Sequence, residues 1–215
     1  MPKAIKKDIS EVENSFISLV SPKLKILVIG GGNAALIKVK NFMKRGCLIT
    51  IVSKEFKEEF NMLSECPNIK LIKGEYLRDY LKHYHIIIIA TNNFKLNDKI
   101  RQDCDYINKL YMDCGEPEKG LYIVPYQNDS KMFSLSIKSR YKSPKTSKYV
   151  LDKAMTFIKR YEDFSEYTAN IRNKIKGSRK KEIMNFVCSD DFYFFYKKRK
   201  ADIVLQMFYR ELNGE

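Results

Sequence analysis

The pattern G-x-G-x-x-A, formed by Gly30, Gly32 and Ala35, lies between an apolar run and a helix-like run. The first glycine permits a tight turn, the second lets the backbone approach a pyrophosphate, and the alanine lets a helix lie close to a sheet. Free N–H groups at the start of that helix attract phosphate. The spacing therefore indicates dinucleotide binding rather than a merely structural turn, and no GK[ST] follows that would make a Walker loop. The residues that we expect to contact the cofactor here are Gly30, Gly31, Gly32, Asn33 and Ala34.

Polar residues follow two further strand-like runs, at the position where ligands collect in parallel sheets. The candidate cofactor contacts at these positions are Ser53, Lys54 and Glu55 after "LITIV", and Thr91, Asn92 and Asn93 after "IIIIA". An acidic residue at the end of the second strand would bind ribose hydroxyls. Glu55 comes slightly late for this role, and Lys54 could as easily attract a 2′-phosphate. The sequence favours NAD only mildly and leaves NADP open.

The segment 131–148, "KMFSLSIKSRYKSPKTSK", contains six cations and no carboxylate. The whole chain is also basic, with a formal net charge of +14, which favours an anionic partner without saying which one. One interpretation is the solvated face of a lysine-rich protein. The other is a receptor for a multiply charged anion, and no nucleic-acid reader motif accompanies it.

The elements that must position these residues alternate between strand and helix. Apolar strand runs are predicted at 24–29, 48–53, 69–74, 85–91 and 109–114. Helical patterns at 33–45, 54–65, 76–83 and 95–107 separate them, and Gly46 stands where a helix C-cap belongs. This alternation predicts a doubly wound parallel α/β sheet of the Rossmann type.

The pattern changes after Pro117. Alternation of Phe133, Leu135 and Ile137 with polar residues predicts a half-buried antiparallel strand, paired with the preceding "LYIVPYQ" across a turn-rich "NDSK". From Ser143 onward, where a good N-cap residue precedes proline, helices are predicted at 144–161, 163–176, 179–187 and 198–212. The aromatic run "DDFYFFYKKRK" is expected to pack against a neighbouring helix or subunit.

Composition excludes several other classes of protein. The 215 residues contain no apolar run of membrane-spanning length, and the charged N-terminus has no signal-peptide pattern, so we expect a cytoplasmic protein without membrane contact. The five cysteines are scattered, odd in number and never spaced as C-x-x-C, which indicates reduced thiols. His83 and His85 have no third ligand nearby, and we expect no metal site.

Taken together, these motifs resemble those of the precorrin-2 dehydrogenase family, which includes the dehydrogenase and ferrochelatase part of siroheme synthase. "ILVIGGGNAALIK" resembles the family's first strand and its GGGxxAxxK turn, and "IIIIATNNFKLNDKI" resembles its AATDDxxxNxxV, with Asn97 at the asparagine. "YIVPYQNDSKMFSLSIKSRYKSP" resembles its F-x-x-P and IAIST-GG-x-SP segment. "IRNKIKGSRKKEIMNF" resembles its RxxVK and RRxFW tail.

The resemblance implies three parts: an NAD(P)-binding Rossmann domain at 1–116, a central dimerisation and substrate segment at 117–143, and a helical C-terminal domain at 144–215. It also implies a homodimer that oxidises precorrin-2 to sirohydrochlorin with NAD, and some family members insert iron as well. An anionic tetrapyrrole substrate would give the basic segment a purpose. The expected substrate contacts are Lys138, Ser139, Arg140 and Lys142.

One departure from the family pattern concerns catalysis. The family carries N-V-x-D before its proline, and that aspartate is the residue most associated with catalysis. An ungapped alignment with "YMDCGEP" places Met112 at the asparagine and Gly115 at the aspartate. Asp113 and Glu116 stand within two residues and are the candidate catalytic carboxylates. Chelation is therefore more doubtful than oxidation, and a non-catalytic NAD(H)- or tetrapyrrole-binding protein of the same fold is the alternative.

Overall fold

The computed structural model describes residues 15–140 and 143–209. The chain divides into two compact units, the first ending at Val124 and the second beginning at Pro125. Residues 117–124 thus belong to the first unit. The finer three-part division with boundaries at 116 and 143 stays a prediction.

The first unit is built on a five-stranded parallel sheet with the order β3-β2-β1-β4-β5. Its strands are β1 (Lys25–Ile29), β2 (Leu48–Ser53), β3 (Ile69–Lys73), β4 (Ile86–Ile89) and β5 (Leu110–Asp113). Strand β1 lies at the centre, where Val28 is level with Ile51 of β2 and Ile88 of β4. The order reverses beside β1, which is the topological switch point at which such sheets bind ligands.

Helices cover both faces of this sheet. They are α1 (Asn33–Met43), α2 (Glu59–Leu63) and α3 (Phe94–Tyr106), with a 3-10 turn at Arg78–His83. Alternate residues of β1 explain the two layers, because Ile26 and Val28 pack with α1 and α2, whereas Leu27 and Ile29 pack with α3. The predicted doubly wound α/β fold is confirmed.

Two predicted helices are shorter than their sequence patterns suggest. The pattern at 54–65 yields only the five residues of α2, and the pattern at 76–83 yields the 3-10 turn. Segments this short do not overcome the cost of nucleating an α-helix on their own, so packing decides their form. Phe60 and Leu81 are both fully buried and anchor these segments.

The second unit begins with an antiparallel hairpin of β6 (Tyr126–Asp129) and β7 (Ser134–Ile137). Leu135 and Ile137 are half-buried while Ser134 and Ser136 are exposed, as the alternation predicted. The hairpin packs on α4 (Pro144–Ile158), where Asn128 Nδ2 donates to Asp152 Oδ1 at 3.1 Å.

The rest of the second unit is helical. After α4 and a 3-10 turn at Lys159–Tyr161 come α5 (Glu162–Lys174), α6 (Lys180–Val187), α7 (Asp190–Lys197) and α8 (Ala201–Phe208). The sequence reading did not predict α7 as a helix. Its N-cap is Ser189, whose Oγ accepts from Phe192 N–H at 3.2 Å, and Phe192 is fully buried in the helical core. Residues 210–212 of the last predicted helix lie outside the described residues.

Among the helices of the described residues, none combines the length and apolar character that crossing a bilayer requires.

His85 has a structural contact in the first unit, where its Nδ1 accepts from Lys25 N–H at 3.1 Å.

Candidate functional site

The carboxyl ends of the parallel strands meet at one edge of the sheet. Gly30 follows β1, Ser53 ends β2, Thr91 follows β4 by two residues, and Asp113 ends β5. The sequence motifs that were predicted to bind a cofactor therefore meet at this edge, and we name it the carboxyl edge.

Two of the three glycines are required by contacts within the chain. Gly30 has a φ of +123°, and a Cβ there would lie 2.3 Å from the carbonyl oxygen of Ala90. A Cβ on Gly31 would lie 2.2 Å from the carbonyl oxygen of Glu55. The loop after β2, which contains Glu55, is also joined to the glycine turn by a hydrogen bond of 3.1 Å from Lys57 N–H to Gly31 O. These glycines let the turn pack against its neighbouring loops.

Gly32 has no such reason within the described chain. Its φ of −92° suits any residue, and no described atom lies within 4 Å of where its Cβ would be. A glycine that its own chain does not need is expected where a ligand's backbone or phosphate must approach closely. The open space above Gly32 therefore fits the pyrophosphate of a dinucleotide.

The N-terminus of α1 supports the same fit. Gly32 is the N-cap residue and provides no side chain, so no side-chain cap satisfies the first amides of the helix. The first two helical residues, Asn33 and Ala34, are exposed, and the carbonyl of Gly32 accepts the first helical hydrogen bond from Leu36 N–H at 3.0 Å. Exposed, uncapped amides with the positive end of the helix dipole form an anion-binding surface. Ala35 is fully buried against the sheet, as its place in the motif predicts.

The loop after β2 places its three predicted residues differently. Ser53 Oγ donates to Glu55 O at 2.6 Å and so serves the loop's own shape. Lys54 Nζ lies 2.8 Å from Glu75 Oε1, and this exposed hydrogen-bonded pair raises the pKa of Lys54 and lowers that of Glu75. The Glu55 side chain is exposed. Neither side chain decides between NAD and NADP.

The loop after β4 is held by its own polar side chains. Thr91 Oγ1 donates to Asn97 Oδ1 and accepts from Asn93 N–H at 3.2 Å, and Asn97 Nδ2 returns a hydrogen bond of 3.1 Å to Thr91 O. Asn93 is the N-cap of α3, with Oδ1 accepting from Leu96 N–H at 3.1 Å. Asn97 is 3% exposed, which accounts for its place in the motif. Asn92 alone of the three predicted residues presents an exposed side chain without a hydrogen bond to the described residues.

The two candidate catalytic carboxylates differ in access. Asp113 is fully buried and ion-paired with Arg101, whereas the Glu116 side chain is 28% exposed. Asp113 Oδ1 also accepts hydrogen bonds from Gly115 N–H at 2.8 Å and Glu116 N–H at 3.1 Å. The strand ends at Asp113, so the regular alternation that could have brought Asp113 and Gly115 to one face does not continue. The catalytic assignment of both carboxylates stays a prediction, and only Glu116 offers an accessible oxygen.

Arg101 is the residue at this edge that the sequence analysis did not identify. Burial acts to lower its pKa, but the carboxylates of Asp98 and Asp113 outweigh that effect and raise it. An arginine in a polar helix such as α3 is normally read as part of the solvated face, so periodicity alone would not have found it. The signal was the aspartate at position 113 of an otherwise apolar strand, because a buried carboxylate needs a cation.

The predicted substrate contacts follow β7 in the chain, since this strand ends at Ile137. Lys138 and Ser139 are half-buried and Arg140 is exposed, whereas Lys142 lies outside the described residues. Lys131, at the other end of the basic segment, is engaged differently, with Nζ 2.6 Å from Glu166 Oε2. Their role in substrate binding stays a prediction.

A five-stranded doubly wound sheet with a glycine turn and an uncapped helix at its switch point defines the class of Rossmann-type nucleotide-binding proteins. Residues 17–126 match the sequence family described as "Putative NAD(P)-binding". The chain belongs to this NAD(P)-binding family.

The chain is also similar to siroheme synthases. It is 31% identical over 119 residues to the siroheme synthase of Zymomonas mobilis subsp. mobilis, which covers 55% of this chain and 25% of that protein. It is 26% identical over 154 residues to the siroheme synthase of Psychrobacter arcticus, which covers 71% of this chain and 28% of that protein. The chain thus spans between a quarter and a third of the length of these relatives.

A solved structure shares the fold over most of the chain. It is described as "SirC, precorrin-2 dehydrogenase" and superposes with a TM-score of 0.67 at 21% identity, covering 90% of this chain and 98% of that one. The resemblance to the precorrin-2 dehydrogenase family that the motifs indicated is confirmed.

Proposed function

We propose that this chain is a nicotinamide-dependent dehydrogenase that oxidises precorrin-2 to sirohydrochlorin in siroheme or related tetrapyrrole biosynthesis. The names of its relatives and of its structural neighbour support the reaction. The observation that carries the proposal is the open space at Gly32 beside the uncapped start of α1, at the switch point of the sheet, where a pyrophosphate would fit. We propose NAD as the preferred cofactor, with NADP as the alternative.

The residues of the carboxyl edge have separable tasks in this proposal. Backbone amides at Asn33 and Ala34 bind the pyrophosphate, Gly32 gives it room, and Glu55 and Asn92 are the exposed side chains that bind the rest of the cofactor. A bound nicotinamide would supply the hydride acceptor, which is the demanding part of the chemistry. What remains for the protein is to hold the substrate, exclude water and accept a proton.

The proton acceptor that we propose is the Glu116 carboxylate. It is the accessible carboxylate beside Gly115, where the family's aspartate would stand, whereas Asp113 is sealed from solvent. A positioned general base contributes about 10²–10⁴-fold to a rate, so a carboxylate next to the lost position would supply part of this advantage.

Cations of the basic segment 131–148 would bind the carboxylates of the tetrapyrrole. Exposed ion pairs are worth only ~0.2–1 kcal/mol each, so several must act together. We expect the triple substitution of Lys138, Arg140 and Lys142 by alanine to raise KM for the tetrapyrrole roughly tenfold. Lys131→Ala is the matched control, because Lys131 is already paired with Glu166. Unchanged substrate kinetics in the triple variant would remove this assignment.

The direct test is an anaerobic absorbance assay. Purified protein receives precorrin-2 with NAD+ or NADP+, and the appearance of reduced nicotinamide and of the sirohydrochlorin spectrum is followed. We expect turnover with a preference for NAD+. Tight binding of the nicotinamide without any turnover would refute the proposed dehydrogenase activity.

A second candidate function is favoured by Gly115, which brings no carboxylate to the family's catalytic position. In that case the protein would be a non-catalytic carrier or sensor that binds NAD(H) or the tetrapyrrole. The same glycine leads us to propose that iron insertion is weak or absent, since a glycine neither moves a proton nor ligates a metal. Adding ferrous ion after sirohydrochlorin has formed tests this point.

A further inference from the structure

The Arg101–Asp113 ion pair is buried at the carboxyl edge, with side chains only 8% and 0% exposed. Arg101 reaches Asp113 Oδ2 from α3 through Nη1, and its Nη2 contacts Asp98, one turn earlier in the helix. Breaking such a pair by removing one partner leaves an uncompensated charge, whereas well-packed apolar residues can replace both partners without loss. Stability alone therefore does not explain why this chain has a pair here.

The position of the pair is also a departure from the family pattern. The alignment that places Gly115 at the family's aspartate places Asp113 at the valine of N-V-x-D. The chain thus has a carboxylate where the pattern is apolar and none where the pattern is acidic. Both changes fall in the same four residues, which suggests that they act together.

What the pair holds is the turn that leads to Glu116. Asp113 Oδ1 fixes the amides of Gly115 and Glu116, at 2.8 and 3.1 Å. Arg101 Nη2 also reaches the Glu116 carboxylate itself, at 3.3 Å from Oε2. Lys119 Nζ lies 2.7 Å from the other oxygen. Asp113 thus restrains the backbone of Glu116, and Arg101 restrains its side chain together with Lys119.

We propose that Arg101 is a positioning residue which, directly and through Asp113, holds the Glu116 carboxylate as the proton acceptor of the dehydrogenation. The inference rests on the proposed function. With a nicotinamide bound, the substrate would lose two hydrogens: one would leave with its electron pair as a hydride to the oxidised nicotinamide, and the other would leave as a proton to Glu116. The electron pair of the second C–H or N–H bond forms the new double bond, so that atoms and charges balance.

The remaining capacity of Glu116 suits this role. A carboxylate has about four acceptor positions, and Arg101 and Lys119 each take one. Both cations lie against the carboxylate, and its partial exposure leaves an oxygen accessible. Asp113 has no such access, and Asp98 lies on the outer part of α3 with 57% of its side chain exposed.

The test is the double variant Arg101→Leu with Asp113→Val, which replaces the buried pair by apolar side chains. We expect a loss of thermal stability limited to the two amide hydrogen bonds that Asp113 accepts, together with faster hydrogen exchange of the Gly115 and Glu116 amides. Turnover should fall at least about tenfold, with KM for the nicotinamide within about twofold, since a displaced base loses part of its 10²–10⁴-fold contribution. The control Asp79→Ala with Lys82→Ala removes an exposed ion pair elsewhere and should change none of these quantities.

A single variant keeps the inference falsifiable if the double variant unfolds, and a rescue variant adds a second test if it folds. Glu116→Gln keeps the shape of the side chain and should lower kcat by about 100-fold or more, and combining it with the double variant should add no further loss. Gly115→Asp in the double variant should restore turnover by supplying a carboxylate at the family's position. A double variant or a Glu116→Gln variant with wild-type kcat overturns the role of Arg101 while the dehydrogenase stands. A wild-type protein without turnover would refute both the role of Arg101 and the proposed dehydrogenase activity.

Discussion

At the scale of single residues, adjacent glycines in one turn have different reasons to be there. Gly30 has a positive φ, and a Cβ there would collide with the carbonyl of Ala90. Gly32 has a common backbone conformation, and a Cβ there would meet only open space among the described residues. Substitution should therefore separate folding from ligand binding within a three-residue turn.

Gly30→Ala should lower the free energy of unfolding by about 1–3 kcal/mol, because the strained φ and the contact at Ala90 cannot both be relieved. Gly32→Ala should leave stability nearly unchanged, since the poorer N-cap and the stiffer unfolded chain offset each other. Its Kd for NAD(H) should rise at least roughly tenfold, because a methyl group enters the space for the pyrophosphate. Thermal unfolding and calorimetry check both. Equal affinity of Gly32→Ala and wild type would contradict the assigned site.

Gly115→Asp restores the family's carboxylate. A Cβ at Gly115 meets only Asp113 Oδ1, at an ordinary 3.5 Å, so the backbone accepts the change. We expect kcat for precorrin-2 oxidation to rise with KM nearly constant, and iron insertion to become measurable. Gly115→Ala is the control and should gain neither. If the aspartate variant folds and gains nothing, the alignment of Gly115 with the catalytic aspartate is wrong.

At the residue scale, the sequence predicted what depends on local chemistry. The turns at Gly30 and Gly46 follow from backbone conformation, and both glycines have positive φ, although the C-cap of α1 is Lys44 and Gly46 lies two residues beyond it. The need for Gly31 was not foreseen, because its contact with the loop at Glu55 joins segments that only the folded sheet brings together. The same holds for Arg101, whose burial depends on the strand beneath its helix.

At the scale of elements, the loops of the carboxyl edge are set by helix caps as much as by the strands. Asn93 caps α3, and the helix in turn carries Arg101 and Asn97 to the edge. The geometry of the candidate site therefore depends on the stability of the first turn of α3.

Asn93→Ala should destabilise the first unit by about 1 kcal/mol, the usual cost of losing an N-cap side chain. Asn92→Ala is the matched control, since this exposed neighbour makes no hydrogen bond to the described residues, and it should be within about 0.5 kcal/mol of wild type. Denaturant unfolding measures both. A smaller cost at Asn93 than at Asn92 would show that the cap does not hold α3.

Elements with a strong period were predicted well, and short ones were not. The apolar runs of β1 and β4 leave little choice other than buried parallel strands. Helix α7 was missed because the aromatic run "FYFF" has no clean helical period, although Ser189 with two aspartates after it is a start signal. Tertiary packing of Phe192, which the run itself does not reveal, decides the helix.

At the scale of the whole molecule, the cysteines differ widely in environment. Cys47 and Cys104 are fully buried, and Cys188 is exposed. Burial, with smaller contributions from Asp105 and Asp103, raises the pKa of Cys104 to about 12. Because the thiolate is the reactive form, this group is nearly unreactive in the folded protein.

Under native conditions Ellman's reagent should modify Cys188 quickly and Cys104 only after unfolding. Raising the pH to 9 should not noticeably increase the labelling of Cys104, because a thiol of pKa about 12 is then only about one part in a thousand ionised. Mass spectrometry of the labelled peptides identifies the sites, and Cys188→Ser is the control that removes the fast phase. Fast labelling of Cys104 would mean that the α3 face opens readily.

The homodimer stays a prediction, and the hairpin is where we expect it to form. Strands β6 and β7 pair only with each other among the described residues, so each leaves an unpaired edge to which a strand of a second copy can add. Light scattering should give twice the mass of one chain at micromolar concentration. A monomer over the whole concentration range would refute the prediction.

The central place of β1 also determines how a nascent chain can acquire this fold. On the ribosome β1 emerges first, and β2 follows within one crossover, with Lys25 level with Leu48. The opposite side of β1 stays uncovered until the segment that pairs Ile86 with Ile26 has been synthesised. During that interval an apolar edge is open to other chains, and slow non-local pairing of this kind is where chaperones act. Overproduction at low temperature or with added chaperone should therefore raise the yield of native protein.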